Sequence, residues 1–430
     1  YSNFFEMKSI SQFMIGLRIN QQKLLLTATK LILALLIQKF FLGLAFAVEP
    51  DWETLKKRVQ PHIQKGVLLV AKSGETRFHY TTDPERKWIP ASTLKVPLAL
   101  YALDVWEENH HFQTEVYLRE NQDLLIRGLG DPFFVSEEIQ LMGKELRGKI
   151  PSKMRHLLLD NTAFSFPLKA DGVERSRNPY DALNGALLVN FNTASLEKHK
   201  DGTLTSAEKQ TPLTPLTISL GKQIKPGKQR INLAEDPDIA QRYSGELMQA
   251  IWKKSELEFT GEIKNSQKQQ NDQFILQYKS SKTLKEILQA MLKYSNNFIA
   301  NQILLSASLE REKSSIDFES SIIPWKVWWQ NKLGINQEKI NLVEASGISR
   351  KNELSEHDML KVLELLRKHP DLLSEYQGLK SKTGSLKKIY SLVGYAGKRD
   401  EWEFVLFLEQ EKNTREKIAK EIFSFFSNGE

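Results

Sequence analysis

The 430-residue chain contains no cysteine. Disulfide bonds, a thiolate nucleophile, a lipid-modified cysteine and cysteine-ligated zinc or iron–sulfur clusters are therefore excluded. The eight histidines are scattered, with no His-Glu-x-x-His pattern and no helical pair four residues apart, which argues against a zinc peptidase. We accordingly expect an activity that needs neither a metal nor another cofactor.

A strong excess of one charge is also missing outside the first 47 residues. Residues 1–47 carry five basic side chains against one acidic, whereas residues 48–430 carry 55 basic and 52 acidic side chains. Most of the formal charge of +7 therefore comes from the N-terminus. A nearly neutral body lacks the basic footprint of a nucleic-acid-binding protein, so we expect no nucleic-acid partner.

Long apolar runs are absent except near the N-terminus. There, a basic lead precedes an apolar run from Leu31 to Leu44, interrupted by Gln38 and Lys39, and an A-x-A sequence follows at residues 45–47. This order is typical of a secretory signal. Residues 1–47 are therefore predicted to be a signal peptide that exports the chain to the periplasm. The alternative is an uncleaved leader that serves as an N-terminal membrane anchor.

The pattern of apolar and turn-forming residues changes twice along the exported chain. It begins with helix and hairpin patterns, passes through short β-like runs such as Leu216–Leu220, and ends in helices that alternate with strong strands. We predict one α/β domain formed by residues 48–112 and 275–430, an antiparallel sheet flanked by helices. Residues 113–274 are predicted to form a β-rich insert. The polar stretch 264–273 is interpreted as a linker at its end.

Two aromatic or apolar segments allow both a functional and a structural interpretation. The tryptophan-rich run 324–329 could stack sugars, but its spacing of three and four fits one buried helix face. The amphipathic stretch 415–426 could contact a membrane peripherally. In a layered α/β fold, however, a terminal helix normally covers the sheet. We favour the structural interpretation of both.

Three short motifs occur in a meaningful order: S-x-x-K at residues 92–95, S-x-N at residues 295–297 and K-T-G at residues 382–384. Each motif alone arises by chance in many chains. Together they form the set typical of penicillin-binding proteins and β-lactamases.

The residue types suit acyl transfer by serine. Ser92 and Lys95 share one face of a helix, so the lysine amine can reach the serine hydroxyl. At a helix N-terminus, unpaired N–H groups lie where negative charge develops. Lys95 can act as a base only when it is neutral, which burial and a second cation, Lys382, favour. Gly384 lets a substrate backbone come close, and Lys382 with Thr383 can bind a carboxylate.

The sequence resembles the low-molecular-mass, class C penicillin-binding D-alanyl-D-alanine carboxypeptidases and endopeptidases, which carry a large insert between their first two motifs. The resemblance covers about residues 50–412. It also includes the stretches 125–132, 159–164, 180–192, 235–237, 291–298 and 382–386. It implies the α/β (α+β) serine β-lactamase/DD-peptidase fold, in which helices flank an antiparallel sheet that carries a β-rich inserted domain.

The resemblance implies a role for each residue of the first two motifs. Ser92 is similar to the nucleophile that forms the acyl ester, and Lys95 to its base. Ser295 is similar to the group that shuttles a proton to the leaving amine, and Asn297 to the group that orients the substrate.

Roles are likewise implied for the third motif. Lys382 and Thr383 resemble the site for the terminal carboxylate, and Lys382 also acts in catalysis. Gly384 and Ser385 complete the substrate-binding strand. The backbone N–H groups of Ser92 and Ser385 would form the oxyanion hole.

The implied reaction is cleavage of a D-Ala-D-Ala stem peptide or a D-Ala cross-link of peptidoglycan through an acyl-enzyme on Ser92. β-Lactams would inhibit it covalently. Two alternatives stay open: a cell-wall sensor or scaffold that binds penicillin with low turnover, and a β-lactamase. The long gap between Ser92 and Ser295 argues against the β-lactamase.

One turn departs from the family pattern. Members usually show Asp-Gly-Ser-Gly-Leu-Ser-Arg, whereas this chain has Glu344-Ala-Ser-Gly-Ile-Ser-Arg350. The turn has lost a glycine, so its local geometry does not follow from the resemblance. The three catalytic motifs are intact, which argues against a degenerate relative.

Overall fold

A computed structural model describes residues 29–34, 50–233, 236–311 and 316–428. The predicted signal peptide lies largely outside the described residues, although residues 29–34 within it form a helix. Residues Glu53–Asn428 form one compact unit. None of the helices in the described ranges is long and apolar enough to cross a membrane.

From residue 50 onward, the described chain contains ten α-helices and sixteen strands. The helices are Trp52–Val59 (α1), Lys95–Val105 (α2), Ser136–Leu146 (α3), Pro215–Gly221 (α4), Pro237–Trp252 (α5), Leu284–Tyr294 (α6), Asn297–Arg311 (α7), Phe318–Leu333 (α8), Glu356–Leu366 (α9) and Arg415–Asn428 (α10). The strands are Gly66–Lys72 (β1), Glu75–Thr81 (β2), Gln113–Leu118 (β3), Leu124–Gly128 (β4), Lys153–Met154 (β5), Leu157–Asp160 (β6), Thr193–Lys198 (β7), Leu204–Ser206 (β8), Gly227–Asn232 (β9), Glu258–Phe259 (β10), Ile263–Asn265 (β11), Gln273–Lys279 (β12), Ser374–Tyr376 (β13), Leu379–Leu386 (β14), Ile389–Ala396 (β15) and Trp402–Glu409 (β16).

The largest sheet joins the two ends of the described unit. Its six strands run in the order β13-β14-β15-β16-β1-β2, and every neighbouring pair is antiparallel. Strands β1 and β2 precede the insert, whereas β13 to β16 come from the end of the chain. The pairing of β1 with β16 therefore closes the domain across the insert. The predicted antiparallel sheet is confirmed.

Helices cover this sheet as the sequence predicts. Helices α2 and α6 to α9 share one apolar core with alternate residues of the central strands. The tryptophan run lies in this core, because Trp325 and Trp329 are fully buried. Helix α10 packs on β15 outside that core and buries Ile418 and Ile422. The interpretation of both segments as structural is confirmed.

The segment between α2 and α6 builds a second core around three smaller sheets. One has five strands in the order β11-β6-β4-β3-β12, one has three in the order β8-β7-β9, and β5 pairs with β10. Helices α3 and α5 contribute their apolar faces to the same core. The predicted β-rich insertion is confirmed as part of the fold.

The run Leu216–Leu220 was expected to be β-like but lies in helix α4. The helix begins with Pro215, whose fixed φ suits the first helical position. The Thr214 hydroxyl accepts from Thr217 N, and the Thr217 hydroxyl accepts from Thr214 N. This reciprocal cap outweighs the strand preference of the β-branched residues that follow.

The stretch 264–273 is predicted to be a linker, but it comprises the end of β11, the loop 266–272 and the first residue of β12, and the two strands belong to one sheet. Strand β12 pairs with β3 as far as Lys279, beyond the predicted boundary at residue 274. A polar composition here marks an exposed loop of the insert. The division into residues 48–112 with 275–430 and an insert of residues 113–274 stays a prediction.

Candidate active site

The candidate nucleophile precedes the central helix of the domain. Ser92 lies in the 3-10 turn Ala91–Leu94, which runs directly into α2. Lys95 begins that helix, and its Nζ donates a hydrogen bond to Ser92 Oγ across 3.0 Å. The prediction that the lysine amine reaches the serine hydroxyl is confirmed.

Lys95 is fully buried and contacts three acceptors. Besides Ser92 Oγ, its Nζ donates to Asn297 Oδ1 at 2.8 Å and to Ser346 O at 2.5 Å. Burial lowers the pKa of Lys95 well below its usual value; the positive charge of Lys382 lowers it further, and Glu344 opposes the shift. An amine in this environment loses its proton readily and can then accept the proton of Ser92.

The second motif occupies the junction between α6 and α7. Ser295 has a left-handed backbone, with φ of 54°, and ends α6. Asn296 Oδ1 accepts from Ile299 N at 3.0 Å and so caps α7, which begins at Asn297. The sharp turn brings both outer residues of the motif to the same site, where Asn297 contacts Lys95.

The third motif lies on strand β14. Lys382 is 3% exposed, and its Nζ donates to Ser295 Oγ at 3.0 Å and to Thr383 O at 2.7 Å. Burial lowers the pKa of Lys382 to about 7, and the charge of Arg415 contributes to the shift. The five predicted catalytic residues thus form two adjacent hydrogen-bonded groups, one around Lys95 and one around Lys382.

Two glycines allow other backbone segments to approach the nucleophile. A Cβ on Gly384 would lie 2.8 Å from Ser92 N and 2.9 Å from Pro90 O. A Cβ on Gly347, whose φ is 79°, would lie 1.9 Å from Ala91 O. Any larger residue would push these segments apart. The close approach of β14 places the Gly384–Ser385 peptide beside Ser92 N, as an oxyanion hole requires.

The turn 344–350, whose sequence differs from the family pattern, is stabilised by a buried carboxylate. Glu344 is fully buried and accepts hydrogen bonds from Ser346 N and Oγ, Gly347 N, Ser349 N and Asn352 Nδ2. Ala345 does not adopt a positive φ, and its N–H donates to Asn301 Oδ1 at 2.8 Å. A glycine is therefore not needed at position 345. The turn delivers Ser346 O to Lys95.

A cleft of about 900 Å³ opens above these groups. Ser92, Ser295, Asn297 and Ser385 line it, whereas Lys95 and Lys382 lie buried beneath. Other lining side chains are Asp171, Glu174, Tyr180, Asp181, Arg350, Lys351 and Lys387. Charges of both signs thus surround the cleft. Within the part of the chain that the structure describes, no group of three or more His, Asp or Glu side chains is placed to hold a metal ion.

Two residues at the site, Arg415 and Asp171, were not predicted from the sequence. Arg415 Nη1 donates to Gly384 O at 2.6 Å and to Ser385 Oγ at 2.8 Å. Its sequence signal was no more than a basic residue at the start of a sheet-covering helix. Asp171 comes from the insert, where its carboxylate accepts from Ser349 Oγ at the wall of the cleft. No motif marked it.

Solved structures share this architecture over most of the chain. Penicillin-binding protein 4 of Haemophilus influenzae matches with a TM-score of 0.69 at 20% identity, covering 88% of this chain and 99% of that one. A predatory peptidoglycan endopeptidase of Bdellovibrio bacteriovorus matches with a TM-score of 0.52 at 18% identity, covering 85% and 93%. The chain therefore has the fold of these two structures, as the sequence predicts.

The sequence model of the D-Ala-D-Ala carboxypeptidase 3 (S13) family matches residues 56–225 and 215–379. The chain belongs to this family. Among curated proteins, D-alanyl-D-alanine carboxypeptidase DacB of Haemophilus influenzae is 30% identical over 177 residues, which cover 36% of this chain and 36% of that protein. The chain thus aligns with about a third of the length of this curated relative.

Proposed function

We propose that the chain is a serine D-Ala-D-Ala carboxypeptidase or DD-endopeptidase that acts on peptidoglycan stem peptides through an acyl-enzyme on Ser92. The observation that carries the proposal is the position of Lys95, whose buried Nζ links Ser92 Oγ to Asn297 Oδ1. Serine acyl transfer requires a nucleophile in contact with a base. The family supplies the substrate class.

In the acylation step, Ser92 Oγ attacks the carbonyl carbon of the D-Ala–D-Ala peptide bond. The hydroxyl proton passes to neutral Lys95 as the O–C bond forms, and the carbonyl π electrons move to oxygen. The N–H groups of Ser92 and Ser385 bind the resulting oxyanion. Asn297, which is held by Lys95, orients the substrate.

Collapse of the intermediate breaks the C–N bond, and the leaving amine must gain a proton. We propose that Ser295 Oγ supplies it and in turn receives the proton that Lys95 took from Ser92, while the hydrogen bond from Lys382 holds Ser295 Oγ in place. Lys382 and Thr383 hold the terminal carboxylate. Water then attacks the ester and gives a proton to Lys95, which is neutral again, and Lys95 passes this proton to Ser92 Oγ as the ester bond breaks.

The same first step accounts for inhibition by β-lactams. Ser92 opens the ring amide, but the amine stays tethered to the acyl group instead of leaving. The Haemophilus influenzae penicillin-binding protein 4 was solved in complex with a β-lactam, and a Bdellovibrio bacteriovorus endopeptidase was solved acylated by penicillin G. We propose that this chain forms the corresponding adduct on Ser92.

Labelling with a fluorescent penicillin and assay of D-Ala release from a D-Ala-D-Ala peptide test this function. The unaltered protein should give a stable adduct and should release D-Ala. Ser92→Ala should do neither. Ser152→Ala, which changes an exposed serine of the insert, is the matched control and should behave like the unaltered protein.

Other results would favour the alternatives. If neither release of D-Ala nor cleavage of a D-Ala cross-link is found, with or without an adduct, a penicillin-binding sensor or scaffold of the cell wall fits better. Rapid hydrolysis of penicillin with no lasting adduct would indicate a β-lactamase. Adduct formation that survives Ser92→Ala would contradict the assigned nucleophile.

We also propose that the protein acts outside the cytoplasm, in the periplasm, because its proposed substrate is cell-wall peptide and residues 1–47 have the pattern of a secretory signal. Fractionation and mass measurement of the mature protein test this. Cleavage after Ala47 is expected. An intact leader in the membrane fraction would instead support the anchor.

A further inference from the structure

Arg415, the first residue of α10, contacts strand β14 beside the proposed oxyanion hole. Its Nη1 donates to Gly384 O at 2.6 Å and to Ser385 Oγ at 2.8 Å, and lies 3.5 Å from Ser391 O on β15. The guanidinium also lies over the ring of Tyr376, 5.7 Å from its centroid. A partly buried cation is thus held against one particular peptide unit.

The contacted carbonyl belongs to the peptide that joins Gly384 to Ser385. A trans peptide directs its C=O and N–H to opposite sides. Because Arg415 reaches Gly384 O from the side of Ser391 and β15, the N–H of Ser385 points to the other edge of β14. Strand β13 pairs with β14 only at residues 379–381, so the edge at Ser385 faces the cleft that this residue lines.

We propose that Arg415 is a positioning residue of the oxyanion hole, which fixes and polarises the Gly384–Ser385 peptide through its carbonyl oxygen. This inference rests on the proposed function. A cation at the carbonyl draws electron density from the amide, so the N–H of Ser385 becomes a stronger donor. Because the peptide is fixed before the reaction, little reorganisation is needed when the oxyanion forms.

The acylation rate alone does not isolate this effect, because Arg415 also lowers the pKa of Lys382. The carbonyl stretching frequency of the acyl ester does isolate it, since stronger hydrogen bonds to the ester oxygen lower that frequency. The experiment therefore records infrared difference spectra of the protein acylated by penicillin with a ¹³C label in the β-lactam carbonyl. The variants are Arg415→Gln and Arg415→Lys.

Arg415→Gln should raise the ester frequency and slow acylation by about 10-fold, less than the 10²–10³ typical for outright loss of an oxyanion-hole donor. Arg415→Lys should recover part of both effects, because it restores the positive charge. The matched control Lys417→Gln removes an exposed cation from the same helix and should change neither. If glutamine impairs folding, Arg415→Met, which keeps a side chain packed on Tyr376, takes its place.

An ester frequency unchanged by Arg415→Gln or Arg415→Met would overturn the inference, whatever happens to the rate or to thermal stability. Arg415 would then serve as a structural link between α10 and the sheet. Absence of any adduct with the unaltered protein would overturn the proposed function, and the role of Arg415 with it. The two failures are therefore distinguishable.

Discussion

The Lys382 ammonium donates a hydrogen bond to Ser295 Oγ across 3.0 Å, although the two residues lie 87 positions apart in the chain. Lys95 makes the corresponding contact with Ser92 within one helical turn. Each buried lysine thus holds one serine hydroxyl. Because burial and the positive charge of Lys382 lower the pKa of Lys95, the two lysines are suited to distinct tasks, and these tasks are testable.

Lys95→Arg should slow acylation by penicillin by about 10²–10⁴, the usual contribution of a general base. Arginine keeps the positive charge but stays protonated, so it cannot accept the proton of Ser92. Lys382→Arg should be less harmful, because a guanidinium can still bind a carboxylate and keep the local field positive. Second-order acylation rates, measured across pH, give the comparison.

Lys368→Arg, which changes an exposed lysine, is the control for these two variants and should acylate at the normal rate. The assignment of roles fails if Lys95→Arg acylates nearly as fast as the unaltered protein. It also fails if Lys382→Arg is the more damaged variant.

Burial of Lys382 should make stability depend on pH. The pKa of Lys382 is about 7 in the folded protein, whereas an unfolded lysine titrates near 10.4. Between these values the unfolded state binds more protons, so the free energy of unfolding rises with pH. Lys382→Met removes this cost. We expect it to stabilise the protein by on the order of a few kcal/mol near pH 6, and by progressively less as the pH approaches about 10.

Urea denaturation of both proteins at several pH values measures this difference. Lys412→Met, at an exposed position, should change the free energy of unfolding equally at every pH. A stabilisation by Lys382→Met that does not vary with pH would mean that Lys382 titrates normally in the folded state.

Two kinds of site feature were predictable from the sequence: contacts between residues close together in the chain, and residues that belong to the three motifs. The contact between Ser92 and Lys95 follows from helical spacing alone. The contact of Ser295 with Lys382 has no such spacing rule; the family resemblance assigned both residues to one site but did not predict their hydrogen bond. Arg415 has neither kind of signal, because it reaches Gly384 from a helix that is distant in sequence and otherwise covers the sheet.

The failed fold predictions also have physical causes. Leu216–Leu220 contains β-branched residues, but the hydroxyl groups of Thr214 and Thr217 satisfy the helix N-terminus and decide the conformation. The stretch 264–273 is polar because most of it is the surface loop 266–272 between β11 and β12, and composition does not distinguish such a loop from a linker between domains.

Glu344→Gln should weaken both folding and catalysis. The carboxylate accepts five hydrogen bonds, whereas a glutamine amide offers one acceptor oxygen and turns an NH₂ group towards other donors. Unpaired buried N–H groups should cost about 2–4 kcal/mol in the free energy of unfolding. Acylation by penicillin should also slow, because the turn carries Ser346 O to Lys95. Thermal or urea unfolding and penicillin labelling measure the two effects.

The double variant Glu344→Asp/Ala345→Gly should retain acylation, because a glycine lets the backbone move towards the shorter carboxylate. Glu338→Gln changes an exposed glutamate and should have no effect on either quantity. If Glu344→Gln acylates and unfolds like the unaltered protein, the carboxylate does not support the turn.

Thr383→Val should separate binding of the terminal carboxylate from the chemistry at Ser92. The substitution keeps the shape of the side chain but removes the hydroxyl, which together with Lys382 is proposed to bind the substrate carboxylate. A hydrogen bond to a charged group contributes about 1.5–3 kcal/mol, so kcat/KM for a peptide that ends in D-Ala-D-Ala should fall by about 10- to 100-fold.

The same peptide with a C-terminal amide shows whether that loss comes from the carboxylate. Its reaction, already slow, should be nearly unaffected by Thr383→Val, because the amide carries no charge for the hydroxyl to bind. Thr76→Val, on the exposed strand β2, should change the reaction of neither peptide. Equal losses on both peptides would show that Thr383 supports the site in general, and the carboxylate would then have to be bound by other groups of the cleft.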